Sequence, residues 1–260
     1  EAVSGLTTTG AEAFQNVEQW SYSLQFYHQY LQFLGGLGII VLGLAIMPLL
    51  SQTGSALFAA EVPGPTKDQK FTPRLQEMAT LLWRLYVGLT ALCCLGYHWA
   101  GLSWFEACCY AFSTVSTGGF GIHANNIGHY HNGLVLGLAT LFMLCGSMNF
   151  GLHVLVVRQR SLSPLRHQPE LKTFLKWTIG TILLCLANAF AHHAITLNAH
   201  SIMTWIMTCT AMISTTGLQT TNFAHWPTFC PILLMLVAMI GGCSGSTSGG
   251  IKMARWMVIQ

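Results

Sequence analysis

Long apolar stretches separated by short polar segments set the pattern of this chain. Four of them are long enough to cross a bilayer, because a spanning helix needs about 20 mostly apolar residues. A fifth is interrupted by glycines. Helices pair their own backbone groups in hydrocarbon and open sheets do not, so the pattern predicts an all-α polytopic membrane protein. The stretches are 31–50, 78–99, 133–157, 174–191, and 228–242 continued by 251–259.

The composition agrees with a surface that faces lipid. Hydrophobic residues make up 52% of the chain and charged residues only 7%, against about 25% charged in soluble proteins. The lipid bilayer is therefore a predicted partner. Basic residues concentrate in 67–74 and 158–176, and the positive-inside rule places both segments in the cytoplasm. This distribution, with a net charge of only +3, excludes a nucleic-acid partner.

Two shorter apolar stretches, 102–115 and 202–213, lie between the long ones. A stretch of this length is too short to span and is typical of a re-entrant segment. It also keeps both basic segments on one side of the membrane. The predicted unit is therefore an outer helix, a half-helix, a return loop and an inner helix.

Three similar turn sequences indicate that this unit repeats. They are Thr7-Thr8-Thr9-Gly10, Ser116-Thr117-Gly118-Gly119 and Ser214-Thr215-Thr216-Gly217. About 25 residues after each turn, glycines recur inside the next apolar helix. For Gly35, Gly36 and Gly146 the preferred interpretation is close helix packing.

The repeats divide the chain into five parts. Proline-containing breaks at Pro63-Gly64-Pro65 and in 161–169 separate the units, because proline cannot continue a helix. The chain opens inside a unit, which predicts a fragment. The predicted parts are the end of a first repeat at 1–50, a cytoplasmic linker at 51–77, a second repeat at 78–157, a linker at 158–173, and a third repeat at 174–260.

The threonine-glycine turns are the candidate binding site. Non-helical backbone at membrane depth is tolerated only where it is buried in protein or lines an aqueous cavity. Rings of backbone carbonyls can replace the hydration shell of a cation, and glycine reaches the positive φ that such a turn needs. The predicted filter residues are Thr7, Thr8, Thr9, Gly10, Ser116, Thr117, Gly118, Gly119, Thr215, Thr216 and Gly217.

A glycine-rich run, 241–250, interrupts the last apolar helix. Each glycine costs a helix about 1 kcal/mol relative to alanine, so this run predicts a mobile loop in place of a rigid helix.

Several of these motifs resemble the Trk/Ktr/HKT superfamily of potassium transporters, and within it the Trk branch. The resemblance is carried by Thr7–Gly10, by the run Leu34–Val41, by Pro63-Gly64-Pro65, and above all by Ile240–Lys252. It implies a pseudo-fourfold pore in which four repeats contribute one filter glycine each, here Gly10, Gly119 and Gly217, with about two and a half of the four repeats present in this chain. It also implies that loop 241–250 gates the pore below the filter, for which a loop able to adopt two arrangements is suited. The gate residues that the resemblance implies are Gly241, Gly242, Gly245, Ser246, Thr247, Gly249, Gly250 and Lys252.

The same resemblance implies function and partners. The expected function is potassium uptake across the bacterial inner membrane by a multi-pass pore-forming subunit, with filters facing outward and basic linkers facing the cytoplasm. Potassium is the transported ligand and the only metal, at the filter residues, and no covalent cofactor is expected. The implied partners are a second copy of the chain and a cytosolic nucleotide-binding regulatory subunit of the TrkA type.

Alternative interpretations stay open at this point. A non-transporting or sensory membrane subunit is one. A polytopic membrane enzyme is another, although the chain has only eight acidic residues to build a site. The histidines at 129, 131, 192 and 193 are interpreted as solvated or interfacial, since no acidic or cysteine partner stands at ligand spacing. The sequence does not decide the role of Arg84, which lies inside a span. It also does not decide whether ion flux is channel-like or coupled to protons or sodium.

Overall fold

A computed structural model describes residues 1–11, 14, 17–36, 71–195 and 198–259. Every regular element in these ranges is a helix, which confirms the predicted all-α class. Some predictions lie outside the described residues. They are the apolar stretch beyond 36, the motif residues 37–41, the break Pro63-Gly64-Pro65, and the linker up to residue 70.

Eleven helices follow one another along the described chain. Short 3-10 turns occur at Val17–Gln19, Asn126–His129 and Phe223–His225. The helices are α1 Ala2–Leu6, α2 22–36, α3 Phe71–Trp99, α4 Trp104–Ser116, α5 Gly133–Ser147, α6 Phe150–Gln159, α7 Ser163–His167, α8 Pro169–Ala191, α9 Ala199–Ile213, α10 Phe229–Ile240 and α11 Met253–Ile259.

Two described helices are long and apolar enough to span a membrane. They are α3, over Ala79–Trp99, and α8. Helices α5 and α6 would make a third span together, but they meet at an angle of 97°. The prediction of one continuous helix over 133–157 is therefore wrong. The break follows from Asn149, whose side chain accepts a hydrogen bond from Gly151 N at 2.7 Å and so begins a new helix.

The two predicted half-helices are present as α4 and α9. Helix α4 begins with a capping box, in which Ser103 Oγ accepts from Glu106 N and Glu106 Oε2 accepts from Ser103 N. Asn198 caps α9 by accepting from His200 N. Most residues of both helices are buried, because α3 and α5 pack on α4, while α5, α8 and α10 pack on α9. Both half-helices thus end inside the protein.

Glycines let the inner helices approach the half-helix ends. A Cβ added at Gly35 would lie 2.0 Å from the carbonyl oxygen of Leu6, and one at Gly36 would lie 2.8 Å from Ser116 Cβ. A Cβ at Gly146 would lie 3.0 Å from the carbonyl oxygen of Val115. These contacts support the packing interpretation for all three glycines.

Replacing Gly35 by alanine should therefore destabilise the fold. The new methyl group meets a backbone oxygen that cannot rotate away, and such overpacking costs about 1–3 kcal/mol. Gly88→Ala is the matched control, because a Cβ there meets no atom within 4 Å and alanine favours a helix over glycine. Thermal unfolding in detergent should give a lower Tm for Gly35→Ala only; equal Tm values would contradict the packing assignment.

Candidate ion filter and gate

The three predicted filter turns adopt the same backbone conformation. In each, a threonine in the left-handed region follows the half-helix, namely Thr8 (φ 50°), Thr117 (φ 55°) and Thr215 (φ 56°). The glycine two positions later also has positive φ. The values are 70° at Gly10, 87° at Gly119 and 74° at Gly217. These three tetrapeptides, 7–10, 116–119 and 214–217, are called the filter turns below.

Each filter turn is closed by the same backbone hydrogen bond. The residue before the glycine donates its N–H to the carbonyl five residues earlier: Thr9 to Ser4 at 2.9 Å, Gly118 to Ser113 at 3.0 Å, and Thr216 to Ala211 at 2.9 Å. This is the bond of a Schellman helix end. A β-branched residue in the left-handed region is an outlier and costs about 1–3 kcal/mol. Three such threonines in equivalent places indicate a functional constraint.

The filter turns lie directly against one another in chain order. A Cβ at Gly10 would lie 2.5 Å from the carbonyl oxygen of Gly118, and one at Gly119 would lie 2.1 Å from that of Thr216. At Gly217 an added Cβ meets no atom within 4 Å. Each of the first two turns therefore needs glycine for its own φ and for the neighbouring carbonyl.

Several carbonyl groups in the filter turns have no hydrogen-bond donor. Within the described residues, no donor reaches the carbonyl oxygens of Thr8, Thr9, Thr117, Gly118, Thr215 and Thr216. The carbonyl of Gly119 accepts from Asn126 Nδ2 at 2.8 Å. The hydroxyl groups brace the turns instead, as in the 2.7 Å bonds of Thr7 with Thr9 and of Ser214 with Thr216. The free oxygens are therefore those of the backbone.

A buried glutamine from the preceding repeat supports the second filter turn. Gln32 of α2 is fully buried, and its Oε1 accepts from Phe120 N at 3.2 Å and from Ser113 Oγ at 3.3 Å. Its Nε2 donates to Gln29 Oε1 at 2.8 Å. Sequence reasoning missed this residue. Its only signal is the pair of glutamines three residues apart on one helix face.

The glycine-rich run 241–250, called the gating loop below, passes beneath the ends of both half-helices. Thr247 Oγ1 donates to the carbonyl of Val115 at 3.0 Å, at the end of α4. Ser248 Oγ donates to the carbonyl of Ser214 at 2.6 Å, at the end of α9, and Gly249 N donates to Thr215 Oγ1 at 2.6 Å. The loop is thus bonded to the third filter turn and to the residue that precedes the second filter turn.

The gating loop also fills the break between α5 and α6. Cys243 N donates to the carbonyl of Ser147 at 2.9 Å, and Thr247 N donates to that of Gly146 at 3.2 Å. In return, Phe150 N donates to the carbonyl of Gly245 at 2.9 Å. Three backbone groups at the break are therefore paired by the loop.

Local turns shape the remaining predicted gate residues. Gly241, Gly245 and Gly250 have φ of 74°, 69° and 81°, and a Cβ at Gly241 would lie 2.1 Å from the carbonyl of Gly249.

Hydrogen bonds within the loop connect the other predicted gate residues. Gly242 N donates to Ser248 Oγ and Ser246 Oγ donates to the carbonyl of Cys243. Lys252 Nζ donates to the carbonyl of Ser248. All the predicted gate residues thus belong to one connected loop.

Glu170 connects the gating loop to the start of α8. The residue is only 8% exposed, and its Oε1 accepts from Ser244 N at 2.6 Å and from Ala254 N at 3.2 Å. Sequence reasoning placed this residue in a linker and gave it no role. Glu170 therefore connects the basic segment 158–176 to the gating loop by a hydrogen bond.

Arg84, whose role the sequence left open, is exposed on α3. Among the described contacts, Arg84 takes no part in the filter turns or the gating loop.

The family model of TrkH, a cation transport protein, matches residues 1–260. The chain belongs to the TrkH family of cation transport proteins. The family consists of transporters and not enzymes.

Individual relatives have a similar fold and sequence. The Escherichia coli K12 potassium uptake proteins TrkH and TrkG are each 38% identical to all of this chain, which covers 54% and 53% of their lengths. The crystal structure of the potassium transporter TrkH from Vibrio parahaemolyticus matches 98% of this chain and 52% of that chain, with a TM-score of 0.85 and 33% identity. The chain thus spans about half the length of these relatives.

Replacing Gln32 by leucine should loosen the second filter turn. The change leaves the Phe120 N–H buried without an acceptor, which costs about 1–3 kcal/mol. Gln159→Leu, at an exposed position of α6, is the control for the same chemical change. Tm in detergent should fall for Gln32→Leu alone, and a fall of equal size in both variants would show that Gln32 has no special supporting role.

Proposed function

We propose that this chain forms the filter and gate region of the pore-forming subunit of a potassium uptake system. The observation that carries the proposal is the contact between successive filter turns, each presenting backbone carbonyls that no described donor occupies. The names of the relatives as potassium uptake proteins support the choice of ion.

In this proposal, a potassium ion exchanges its water shell for the carbonyl oxygens of the filter turns. Helices α4 and α9 end at their turns, so their C-terminal ends face the site. The C-terminal end of a helix carries about half a negative charge. That charge favours a cation and disfavours an anion. The threonine and serine hydroxyls hold the turns in shape.

The complete filter is proposed to be a pseudo-fourfold ring. Gly10, Gly119 and Gly217 each contribute one position, and the first two turns are each shaped around a carbonyl of the next turn. The full-length protein, about twice the length of this chain in its relatives, supplies the remainder. Multi-pass insertion in the inner membrane, with the filter turns outward, follows from the positive-inside rule.

The gating loop is proposed to close the pore from below. Its hydrogen bonds to Val115, Ser214 and Thr215 hold it under the filter turns. Because the loop is rich in glycine, it can leave this position without breaking a helix. Glu170 is proposed to stabilise the closed arrangement through its two backbone bonds.

The proposed partners are a second copy of the full-length subunit and a cytosolic nucleotide-binding regulator of the TrkA type. We propose that the regulator docks on an exposed basic surface. This surface surrounds the start of α8, where Glu170 contacts the gating loop. Its exposed residues are Arg158, Arg160, Arg166, Lys172 and Lys176.

The filter is tested by Gly119→Ser in the full-length protein. The added side chain meets the carbonyl of Thr216, so at least one coordinating oxygen must move. We expect rubidium uptake into potassium-depleted cells, or its preference over sodium, to fall by about tenfold or more, as the loss of about 1.4 kcal/mol implies. Gly10→Ser should behave alike.

The control for the filter test is Gly180→Ser on α8, where an added Cβ meets no atom within 4 Å. Equal membrane expression and elution volume exclude misfolding as the cause. Unchanged uptake and unchanged ion preference in both filter variants would overturn the filter assignment.

The gate is tested by Glu170→Gln, which keeps the shape but removes the charge. Hydrogen bonds to charged groups contribute about 1.5–3 kcal/mol and neutral ones about 0.5–1.5 kcal/mol. The closed arrangement should therefore lose about 1 kcal/mol, which raises the open population about fivefold. Rubidium flux from proteoliposomes without any regulator should rise; Glu77→Gln, exposed on α3, should leave it unchanged. Equal basal flux in both variants would remove Glu170 from the gate.

A further inference from the structure

Three potential metal ligands from two separate loops meet on the outer side of the second filter turn. Glu18, His123 and His129 each offer a ligand atom, and these atoms lie within 4.8 Å of one another. Glu18 follows the first filter turn, and the two histidines follow the second. The sequence gave no acidic partner for His129 because Glu18 lies more than a hundred positions away.

Backbone geometry holds this cluster together. Ala124 N donates to Glu18 Oε1 at 2.8 Å, and the same oxygen lies 3.5 Å from His123 Nδ1. The His129 ring stacks on the His123 ring with centroids 3.9 Å apart. These contacts bring the carboxylate of Glu18 and the two imidazole rings into one cluster.

A second carboxylate orients the central histidine. Glu106 Oε1 lies 3.4 Å and Tyr130 Oη lies 3.2 Å from His123 Nε2. This leaves His123 Nδ1 facing Glu18. A metal-binding histidine commonly donates its other ring nitrogen to a carboxylate, which fixes the ring and raises its basicity. The arrangement of Glu106, His123 and Glu18 has this form.

The cluster is accessible from solvent. It lines a cavity of about 570 Å³. Glu18 and His129 are exposed and His123 is half-buried. Since the stacked rings are nearly parallel, at 9°, the exposed His129 ring must rotate to direct a nitrogen at a shared ion. The cavity gives it room to do so.

We propose that Glu18, His123 and His129 bind a divalent transition-metal ion of the zinc class at the outer mouth. Two imidazoles and one carboxylate form a ligand set that suits zinc, with a fourth position left for water. Potassium does not compete there, because imidazole nitrogen is a ligand for transition metals and not for hard alkali ions. The site is therefore separate from the filter.

A bound ion would tie the two outer loops together. The 3-10 turn that ends at His129 also contains Asn126, whose side chain holds the carbonyl of Gly119. Metal binding thus fixes a segment that supports the second filter turn, and it should slow ion passage. This consequence for flux rests on the proposed potassium function, whereas the binding of metal does not.

Metal binding is tested directly on the full-length, tag-free protein in detergent after treatment with a chelator. Co²⁺ titration followed by visible absorption, and competition by Zn²⁺, should show one tight site per chain. Glu18→Gln, His123→Gln and His129→Gln should each weaken binding by about tenfold or more. His131→Gln, in the same loop but outside the cluster, should bind as the unmodified protein does. No binding, or binding unaffected by the three cluster variants, would overturn the proposal.

Rubidium uptake with and without micromolar Zn²⁺ gives the second readout. We expect Zn²⁺ to lower uptake at least severalfold in the unmodified protein and in His131→Gln, but not in His129→Gln. Zn²⁺ binding together with Zn²⁺-insensitive uptake would refute the effect on flux and leave the site. Zn²⁺ binding in a protein that takes up no rubidium would refute the potassium function and leave the site.

Discussion

The need to pair every backbone polar group at membrane depth governs this structure. A helix meets that need by itself, but a turn inside the membrane does not. The filter turns meet part of it with Schellman bonds, while Asn126 pairs with the carbonyl of Gly119 and Gln32 pairs with the N–H of Phe120, the residue after the second turn. The carbonyls that no described donor reaches are therefore concentrated at the filter turns.

The filter turns depend on one another and not only on their own sequences. The space that a side chain would take at Gly10 and Gly119 is occupied by a carbonyl of the next turn. A change in one turn thus moves an oxygen of its neighbour. In the proposed pore, selectivity is a property of the whole ring, and the strain of three left-handed threonines is distributed through it.

The sequence predicted those features that depend on local pattern. The half-helices α4 and α9 follow from short apolar stretches, and the filter turns follow from a repeated tetrapeptide. The break between α5 and α6 was not predicted, because apolar residues continue through it and a single Asn149 redirects the chain. Gln32, Glu170 and the cluster of Glu18 with His123 were also missed, since their partners lie dozens of residues away and only the fold brings them together.

The exchange of hydrogen bonds between the gating loop and the α5–α6 break has a further consequence. While the loop is in place, Gly146, Ser147 and Phe150 have their backbone groups paired by it. In the proposed open arrangement the loop leaves, so those groups and the loop's own N–H groups need other partners, and lipid offers none. Only water can replace them. Displacement of the loop and wetting of the space below the filter are then a single event, so a dry cavity would itself keep the loop in place.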